Sequence, residues 1–503
     1  MSGFPLGKPI LVMIAVAAVS GVAISLRPEP QTPDLTVWTF TDAHAREYRD
    51  IALTFLHPHP PQLRIETVPA MALNMRLTSL FASGPAGAPP PDAVEIEISS
   101  IGRYFRAPPS EVGFLPLNPY LSTTGHRTIP TLSAPGFPGQ HARLLSDHQV
   151  YTYTNDTTRW TINPNRTTPD TWLTRIVPSR FAPWTKAGQI FGVPHDVHPV
   201  TLTYRHDLFT EAGIDLASAT TWPHFQDLCL QFQTYWRSRG HPNRFAMELP
   251  LATADNVIVM LLQRHVNVVD HYDRIHVADP RVAQTIAFYA RLVAGPQRIG
   301  IESAGGLGIW ARDLIDGNTC ALITPDWKIN DLKTYAPELD GKLRMMPLPV
   351  FDPSDARTST WGGTMIGIPR HAKNPDLSWK LIEHLYLSDA ALAARRTHGT
   401  ILPPLPEAYT HPAYHRSDPY FGGQPVLALY ASLAPEIPPR FVSPLTVAGQ
   451  IAVSIVLSRA VDSVREHDTP PAHLEAQCAA WLKEMDKGLR ERLAHGRLGG
   501  TDE

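Results

Sequence analysis

The 503-residue chain has little cysteine and no large excess of charge of either sign. Cys229, Cys320 and Cys478 stand far apart with no CxxC or CxxH pair, which argues against a structural zinc site and thioredoxin-like chemistry. One disulfide with a free thiol and three free thiols both fit this number. The 44 Lys and Arg nearly balance the 47 Asp and Glu, for a net charge of -3. The basic surplus that nucleic-acid binding requires is therefore missing, and we expect no nucleic-acid partner.

Motifs of several enzyme classes are also missing. The chain has no GxSxG, HExxH, GxGxxG or P-loop pattern. Two groups, His57/His59 and His195/His198 with Asp196, contain the residue types that bind zinc or copper. The first lies in a proline-locked segment typical of a loop, and we expect neither group to bind a metal. We expect no cofactor.

Proline, by contrast, is abundant. The chain has 50 prolines, about twice the ordinary share of roughly 5%. Because proline fixes φ and removes a backbone donor, this excess predicts long, stiff connections. The length of the chain suggests two to three domains.

The amino terminus has the layout of an export signal. Ile10 to Leu26 is an uncharged run of 17 residues between Lys8 and Arg27, as in a charged n-region followed by an apolar h-region. A run of this length lies at the short edge of what crosses a bilayer. Residues 1–27 are therefore predicted to be a signal peptide or an N-terminal membrane anchor, and 28–34 a Pro-rich linker. In both cases we expect a periplasmic or other extracytoplasmic protein.

Strands and helices alternate after the linker. Thr41 and Asp42 offer an N-cap after the first β-rich run. Such alternation predicts an α/β domain with parallel strands. Strands are predicted over 35–40, 63–68 and 93–98, and helices over 43–56 and 70–82.

Residues 121–188 differ from this pattern, because Pro, Thr and Asn recur there and helical periodicity is scarce. They are predicted to form an irregular surface insertion. No repeat of fixed period is visible, which argues against solenoids and propellers. Later helices are predicted over 207–212, 224–238, 255–265, 280–294, 307–316, 376–387, 389–398, 447–464 and 471–492, and later strands over 320–324, 343–348 and 365–368.

Four segments spread over the chain carry a resemblance to a known family. They are LTVWTFTD at 35–42, GQIFGVP at 188–194 leading to LTYRHDLFTEAG at 202–213, GNTCALITPDW at 317–327, and WGGTMIGIP at 361–369. Together, and in this order, they resemble the extracellular solute-binding proteins of ABC importers, in the sugar-binding group that includes maltose-binding protein. The resemblance implies an α/β, two-lobed, type II-like periplasmic-binding-protein fold with a hinge and a central ligand cleft.

The resemblance also implies how the lobes divide the chain. Crossings between lobes are expected near 198–201 and 346–351. Lobe one is expected over 35–198 and 350–385, lobe two over 202–345 and 386–492, and a flexible tail over 493–503.

The function that the resemblance implies is capture without chemistry. The chain is expected to be the monomeric substrate-binding subunit of an ABC importer that delivers a mono- or oligosaccharide to permease and ATPase subunits. An exported, membrane-anchored enzyme acting on polysaccharide through paired carboxylates stays open as an alternative. A solute sensor of the same fold is the other alternative.

The ligand-binding residues implied by the resemblance follow the ends of predicted strands or a GVP turn. Indole faces stack on the CH faces of a sugar, while polar side chains bond its hydroxyls. Bare glycine backbone lets a ligand approach closely. Each position also has a structural alternative, such as a core indole, a turn glycine or an N-cap. The set is Thr41, Asp42, Glu97, Ser99, Asp196, His198, Trp327, Trp361, Gly362 and Gly363.

Overall fold

The protein is described from a computed structural model that covers residues 7–25, 33–56, 61–84, 89–122, 171–270, 272–303, 308–467 and 469–498. His57 and His59, and most of the predicted insertion, lie outside these residues. The three cysteines are free thiols, and all of them are buried. This decides between the two arrangements that the sequence left open.

The large sheet has five strands, and its first three form as the sequence predicts. In Leu35–Thr39 every second residue is fully buried, because alternate side chains face one side of the sheet. This strand runs parallel to both of its neighbours, and Thr364–Gly367 is antiparallel to both of its own. The strands, in spatial order, are Leu63–Thr67, Leu35–Thr39, Ala93–Glu97, Thr364–Gly367 and Val193–Pro194.

The small sheet has three antiparallel strands. Val200–Arg205 lies in the centre and is buried along its whole length, between Ala321–Pro325 and Leu343–Pro347. Two minor ribbons complete the strands: Thr185–Lys186 with Gln189–Ile190, and Met247–Glu248 with Gly300–Ile301.

The chain passes between the two sheets at two places that matter for the site. It leaves the large sheet at Pro194 and enters the small sheet at Val200, close to the predicted crossing at 198–201. It returns between Pro347 and Thr364, a stretch that includes most of the predicted crossing at 346–351. The two crossing segments touch each other through an antiparallel bridge between Pro199 and Thr360.

The helices agree closely with the predicted ones up to a few residues at their ends. Lys328–Tyr335 and Val426–Leu433 were not predicted. The α-helices are Lys8–Ser25, Asp42–Ala52, Ala70–Ser83, Ile98–Ile101, Asn118–Leu121, Trp172–Arg175, His206–Glu211, Trp222–Ser238, Asp255–Gln263, Pro280–Val293, Ile309–Asp316, Lys328–Tyr335, Pro375–Leu387, Asp389–His398, Val426–Leu433, Thr446–His467 and Pro471–Leu498.

The helices after residue 386 divide between the two sheets. Asp389–His398 packs against Asp42–Ala52, a helix of the large sheet. Thr446–His467 and Pro471–Leu498 pack instead against Pro280–Val293 on the side of the small sheet. The predicted second lobe placed all of 386–492 together, so this packing differs from it, and Pro471–Leu498 also continues into the predicted tail.

Part of the predicted surface insertion is buried. Trp172, Ile176 and Trp184 are at most 5% exposed and belong to the apolar cores beside the large sheet. These large apolar side chains drive burial of 171–184 even though the local sequence lacks periodicity. The residues therefore do not form the surface segment that the composition predicted.

Among the described residues, length and composition single out Thr446–His467 as the helix that could span a membrane. That helix packs against two others, as a core helix of a soluble domain does. In the predicted leader, Lys8–Ser25 is helical, and its apolar side chains Met13 and Val19 are 72% and 69% exposed.

Candidate functional site

Four charged side chains meet where the chain first passes between the sheets. We call Arg180, Asp196, His198 and Asp326 the hinge quartet. Asp196 Oδ1 accepts from Arg180 Nη2 at 2.9 Å, and Asp196 Oδ2 lies 3.0 Å from His198 Nε2. On its other side, His198 Nδ1 lies 2.6 Å from Asp326 Oδ1. Asp326 directly follows a small-sheet strand, so His198 joins groups that belong to the two sheets.

The four charged groups of the quartet are buried, so each needs a partner of opposite charge within the protein. Its two carboxylates and Arg180 are at most 1% exposed, and two cations balance two anions. Burial alone lowers the pKa of His198, but Asp196 and Asp326 raise it to about 9. Burial alone raises the pKa of Asp196, but His198 and Arg180 hold it well below its usual range. His198 is therefore an imidazolium at neutral pH.

The backbone of His198 is itself unusual, because its φ is +53°. Left-handed backbone is uncommon for residues with a Cβ, and Pro199 further restricts the residue that precedes it. Such a conformation persists only where surrounding contacts fix it. The two ion pairs of the His198 ring provide those contacts.

Two indoles lie beside the quartet. The rings of Trp327 and Trp361 are 6.0 Å apart and nearly perpendicular, at 78°. Trp327 Nε1 donates to the Trp361 carbonyl oxygen at 3.0 Å, so the polar edge of this indole is satisfied within the protein. Both side chains are only partly buried. The pair therefore offers apolar faces at an angle to each other on the margin of the core.

Gly362 and Gly363 follow Trp361 with φ values of +97° and +146°, which favour glycine. A Cβ on Gly362 would stand 3.3 Å from His198 Cδ2 and 3.4 Å from Trp327 Nε1. A Cβ on Gly363 would stand 2.6 Å from Arg180 Nη2. The groups that approach this backbone closely are the protein's own quartet and indole.

Glu97 and Ser99 lie at the end of the third strand of the large sheet. Glu97 is half-buried, Ser99 is exposed, and Ser99 Oγ donates to Glu97 Oε2 at 3.0 Å. The Ile98 amide between them donates to the Gly363 carbonyl oxygen at 2.9 Å. The strand end and the glycine pair therefore share one edge of the site.

Thr41 and Asp42 stand apart from this group. Thr41 is the N-cap of the helix Asp42–Ala52, and its hydroxyl accepts from the Ala43 amide at 3.3 Å. Asp42 is exposed in the first turn of that helix. Among the described residues, no hydrogen bond or ion pair joins either side chain to the other eight predicted ligand residues. The capping role is the one that the geometry displays.

Several residues of the site escaped sequence analysis. Arg180 lies in the segment dismissed as an insertion, and no local signal marks it. Asp326 carried a usable signal, since it stands between the strand and Trp327 in the TPDW turn. Arg440 is a further half-buried cation near the site, where burial lowers its pKa to about 10 against the influence of Asp255 and Glu97.

A second polar group, the buried histidine cluster, lies under the large sheet. It consists of His44, Glu95 and His195, whose potential ligand atoms all lie within 4.8 Å of one another. Glu95 accepts hydrogen bonds from the Tyr48 and Tyr386 hydroxyls. Burial alone raises the pKa of Glu95, but His44, His195 and Thr39 lower it to about 2.

His195 differs from the rest of this cluster. It is 1% exposed, and neither ring nitrogen has a hydrogen-bond partner. Burial, with the nearby Arg395 and His44 cations, lowers its pKa to about 3. The ring is therefore neutral at physiological pH, with a lone pair available.

Comparison with known proteins places the chain in a family. The family model described as bacterial extracellular solute-binding protein matches residues 125–421. An arabinooligosaccharide-binding protein of Halalkalibacterium halodurans is 19% identical over 393 residues, which cover 77% of this chain and 75% of that protein.

Two solved structures share the fold. The sugar-binding protein MalE of Xanthomonas citri aligns with a TM-score of 0.64 and 16% identity, over 93% of this chain and all of that one (100%). The ABC transporter associated binding protein from B. animalis subsp. lactis Bl-04, solved in complex with beta-1,6-galactobiose, aligns with a TM-score of 0.58 and 15% identity, over 91% of this chain and 98% of that one.

These comparisons confirm the predicted resemblance and the α/β, two-lobed fold class. The matched family segment spans more than half of the chain and contains the quartet and both indoles. The chain belongs to the bacterial extracellular solute-binding proteins.

Proposed function

We propose that the chain is the carbohydrate-binding subunit of an ABC importer, which captures an oligosaccharide between its two lobes and releases it unaltered to the permease. The observation that carries this proposal is the indole pair. The Trp327 N–H donates to the Trp361 carbonyl oxygen, so what these two partly exposed side chains offer a solute is apolar ring surface, which suits the CH faces of a sugar. The relative from H. halodurans, named for arabinooligosaccharide binding, supports a sugar of this kind.

The predicted ligand residues divide into two roles under this proposal. Trp327, Trp361, Glu97 and Ser99 contact the solute, since they are partly or fully exposed beside the crossing segments. Glu97 and Ser99 form hydrogen bonds with the hydroxyls of the sugar, which the stacked indole rings cannot do. Thr41 and Asp42 stand apart from these contacts, and Thr41 acts as the N-cap of the helix Asp42–Ala52.

The remaining predicted residues position the contacts. Asp196 and His198 are engaged with Arg180 and Asp326, so their polar atoms are already satisfied. Gly362 and Gly363 hold the second crossing segment against this quartet. A change in the quartet therefore alters how the two sheets are placed relative to each other. Closure of the two lobes, which traps a solute, changes the same placement.

The proposal includes an exported location, a monomer, and contact with permease and ATPase subunits. Residues 10–26 serve as the leader or as an anchor in the membrane. Capture requires no catalytic step, which distinguishes the chain from a polysaccharide-cleaving enzyme. A sensor would share the fold and the site, and its partner would be a receptor in place of a permease.

A titration of the full chain with arabino-oligosaccharides and beta-1,6-galactobiose, followed by tryptophan fluorescence, tests the proposal. We expect a saturable, reversible change that shifts to higher sugar concentrations in Trp327→Ala. The matched control is Trp481→Phe in the helix Pro471–Leu498, outside the site, which keeps the response. Reducing ends that accumulate during the titration would show an enzyme, and an unchanged response in a folded Trp327→Ala variant would remove this indole from the site.

A further inference from the structure

The buried histidine cluster contains an unexplained group. Neither ring nitrogen of His195 has a hydrogen-bond partner, although the residue is 1% exposed. His195 Nδ1 lies 3.6 Å from Asp196 Oδ2, which is too long for a hydrogen bond. A buried polar group without a partner costs stability, and proteins rarely keep one without a reason.

The other two members of the cluster face the same space. The rings of His44 and His195 are 4.3 Å apart. His44 Nδ1 lies 3.1 and 3.2 Å from the two Glu95 carboxylate oxygens. Two ligands of one tetrahedral zinc ion, each at about 2.0–2.1 Å from it, stand roughly 3.3 Å apart. His44 and Glu95 therefore already have the spacing of two zinc ligands.

We propose that His44, Glu95 and His195 form a buried binding site for one divalent transition-metal ion of the zinc type. Two imidazole nitrogens and one carboxylate oxygen are a ligand set that zinc accepts. All three ligand atoms lie within 4.8 Å of one another, so modest side-chain movements bring them to bonding distance. The ion would give the orphaned His195 nitrogen its partner.

Neighbouring groups provide the outer contacts that such a site needs. The hydroxyls of Tyr48, Tyr386 and Thr39 all donate to Glu95 and so fix the direction of its carboxylate. Hydrogen bonds to a ligating carboxylate are typical of metal sites. When the ion binds, the proton that His44 shares with Glu95 leaves for solvent, because a metal ligand must be a neutral imidazole.

The three ligands come from three parts of the fold. His44 belongs to the helix Asp42–Ala52, and Glu95 to the central strand Ala93–Glu97 of the large sheet. His195 begins the first crossing segment, immediately before Asp196 of the hinge quartet. A bound ion would therefore tie the crossing segment to the large sheet, separately from the solute site.

The metal content of the full chain, produced with zinc in the medium and desalted by gel filtration, tests this proposal. We expect about one zinc per chain by elemental analysis. Chelation should lower Tm by about 5 °C or more, and added zinc should restore it, because a ligand that binds only the folded state stabilises it. Cobalt substituted for zinc should give visible d–d absorption bands.

Two variants locate the ion. His195→Gln should lose the zinc and the Tm response while it still binds oligosaccharide. The control is His384→Gln. His384 lies outside the cluster but close to the helix Asp42–Ala52, and its Nε2 contacts the Thr54 hydroxyl and the Ile51 carbonyl oxygen. The His384→Gln variant should keep both the bound zinc and the change in Tm on chelation.

Two results would overturn the site. One is wild-type protein that carries less than about a tenth of an equivalent of zinc and has the same Tm with zinc and with chelator. The other is equal zinc in wild type and His195→Gln. The wild-type measurement decides by itself if His195→Gln does not fold, and it does not depend on whether the solute is a sugar.

Discussion

His195 and His198 stand three residues apart in one crossing segment, and the fold treats them in opposite ways. Both are buried, with exposures of 1% and 5%. Two carboxylates flank His198 and raise its pKa to about 9, whereas burial and neighbouring cations lower the pKa of His195 to about 3. Burial alone lowers the pKa of both histidines, so burial does not explain the difference between them. The charged residues that tertiary packing brings next to each imidazole decide whether it carries a charge.

The largest expected effect comes from breaking the paired side of this comparison. Asp196→Ala leaves Arg180 and His198 as buried cations without their shared carboxylate. Removing one partner of a buried pair destabilises proteins by about 3–5 kcal/mol, so we expect a loss of this size in the free energy of unfolding. Urea denaturation measures it. The exposed Asp227→Ala should change stability by less than about 0.5 kcal/mol, and an equally small change in Asp196→Ala would contradict the account.

The pH dependence of stability sharpens the comparison. The pKa of His198 is raised from 6.5 to about 9 in the folded state, so its stabilisation is complete below pH 6.5 and is lost as pH rises through 9. The loss amounts to roughly 3 kcal/mol over that window. We expect the stability difference between wild type and His198→Gln to shrink over this range, as measured by urea denaturation at several pH values.

The neutral histidine supplies the control for that experiment. His195→Gln should keep the wild-type fall in stability between pH 6.5 and 9, because His195 stays neutral throughout the range. If the stability of wild type did not change with pH over this range, or if His198→Gln lost as much stability as wild type, the ion pairs of the hinge quartet would not titrate there.

A smaller effect is expected where the quartet meets the solute. Trp327 directly follows Asp326, so the ion pair of Asp326 with His198 fixes the turn that carries the indole. Trp327→Ala should weaken oligosaccharide binding by about 1–3 kcal/mol, as the loss of a desolvated aromatic contact does. Isothermal titration calorimetry measures the change, and Trp481→Phe should bind like wild type.

The smallest expected effect concerns Thr41, which lies away from both histidines. Its hydroxyl caps the helix Asp42–Ala52 that carries His44. Thr41→Ala should lower the free energy of unfolding by about 1 kcal/mol, and Thr41→Ser should restore it. Oligosaccharide affinity should change less than in Trp327→Ala. A larger change in affinity than in stability would make Thr41 a ligand residue first and a cap second.

Local patterns sufficed for most of the elements. Alternation over 35–40 predicted the first strand, and helical periodicity predicted Asp389–His398 with its observed ends. The TPDW turn and the Gly362–Gly363 pair marked the segments that meet at the site. Each of these features depends on residues that are neighbours in the sequence, so it can be recognised from one sequence alone.

The partners of the two histidines could not be predicted in this way. Arg180 reaches Asp196 from a segment without periodicity, and Glu95 looks like one residue of an ordinary strand. His44 and His195 are 151 positions apart and come together only in the tertiary structure. Charge pairing across the fold depends on this tertiary arrangement, which local propensity does not contain.

Calorimetric titration of the full chain with arabino-oligosaccharides of increasing length, followed by analysis of the recovered sugar, tests the central claim most directly. The account predicts binding of one molecule per chain, stronger for longer sugars until the space between the lobes is filled, and recovery of every sugar intact. Absence of binding at every length, or recovery of shortened sugars, would contradict it.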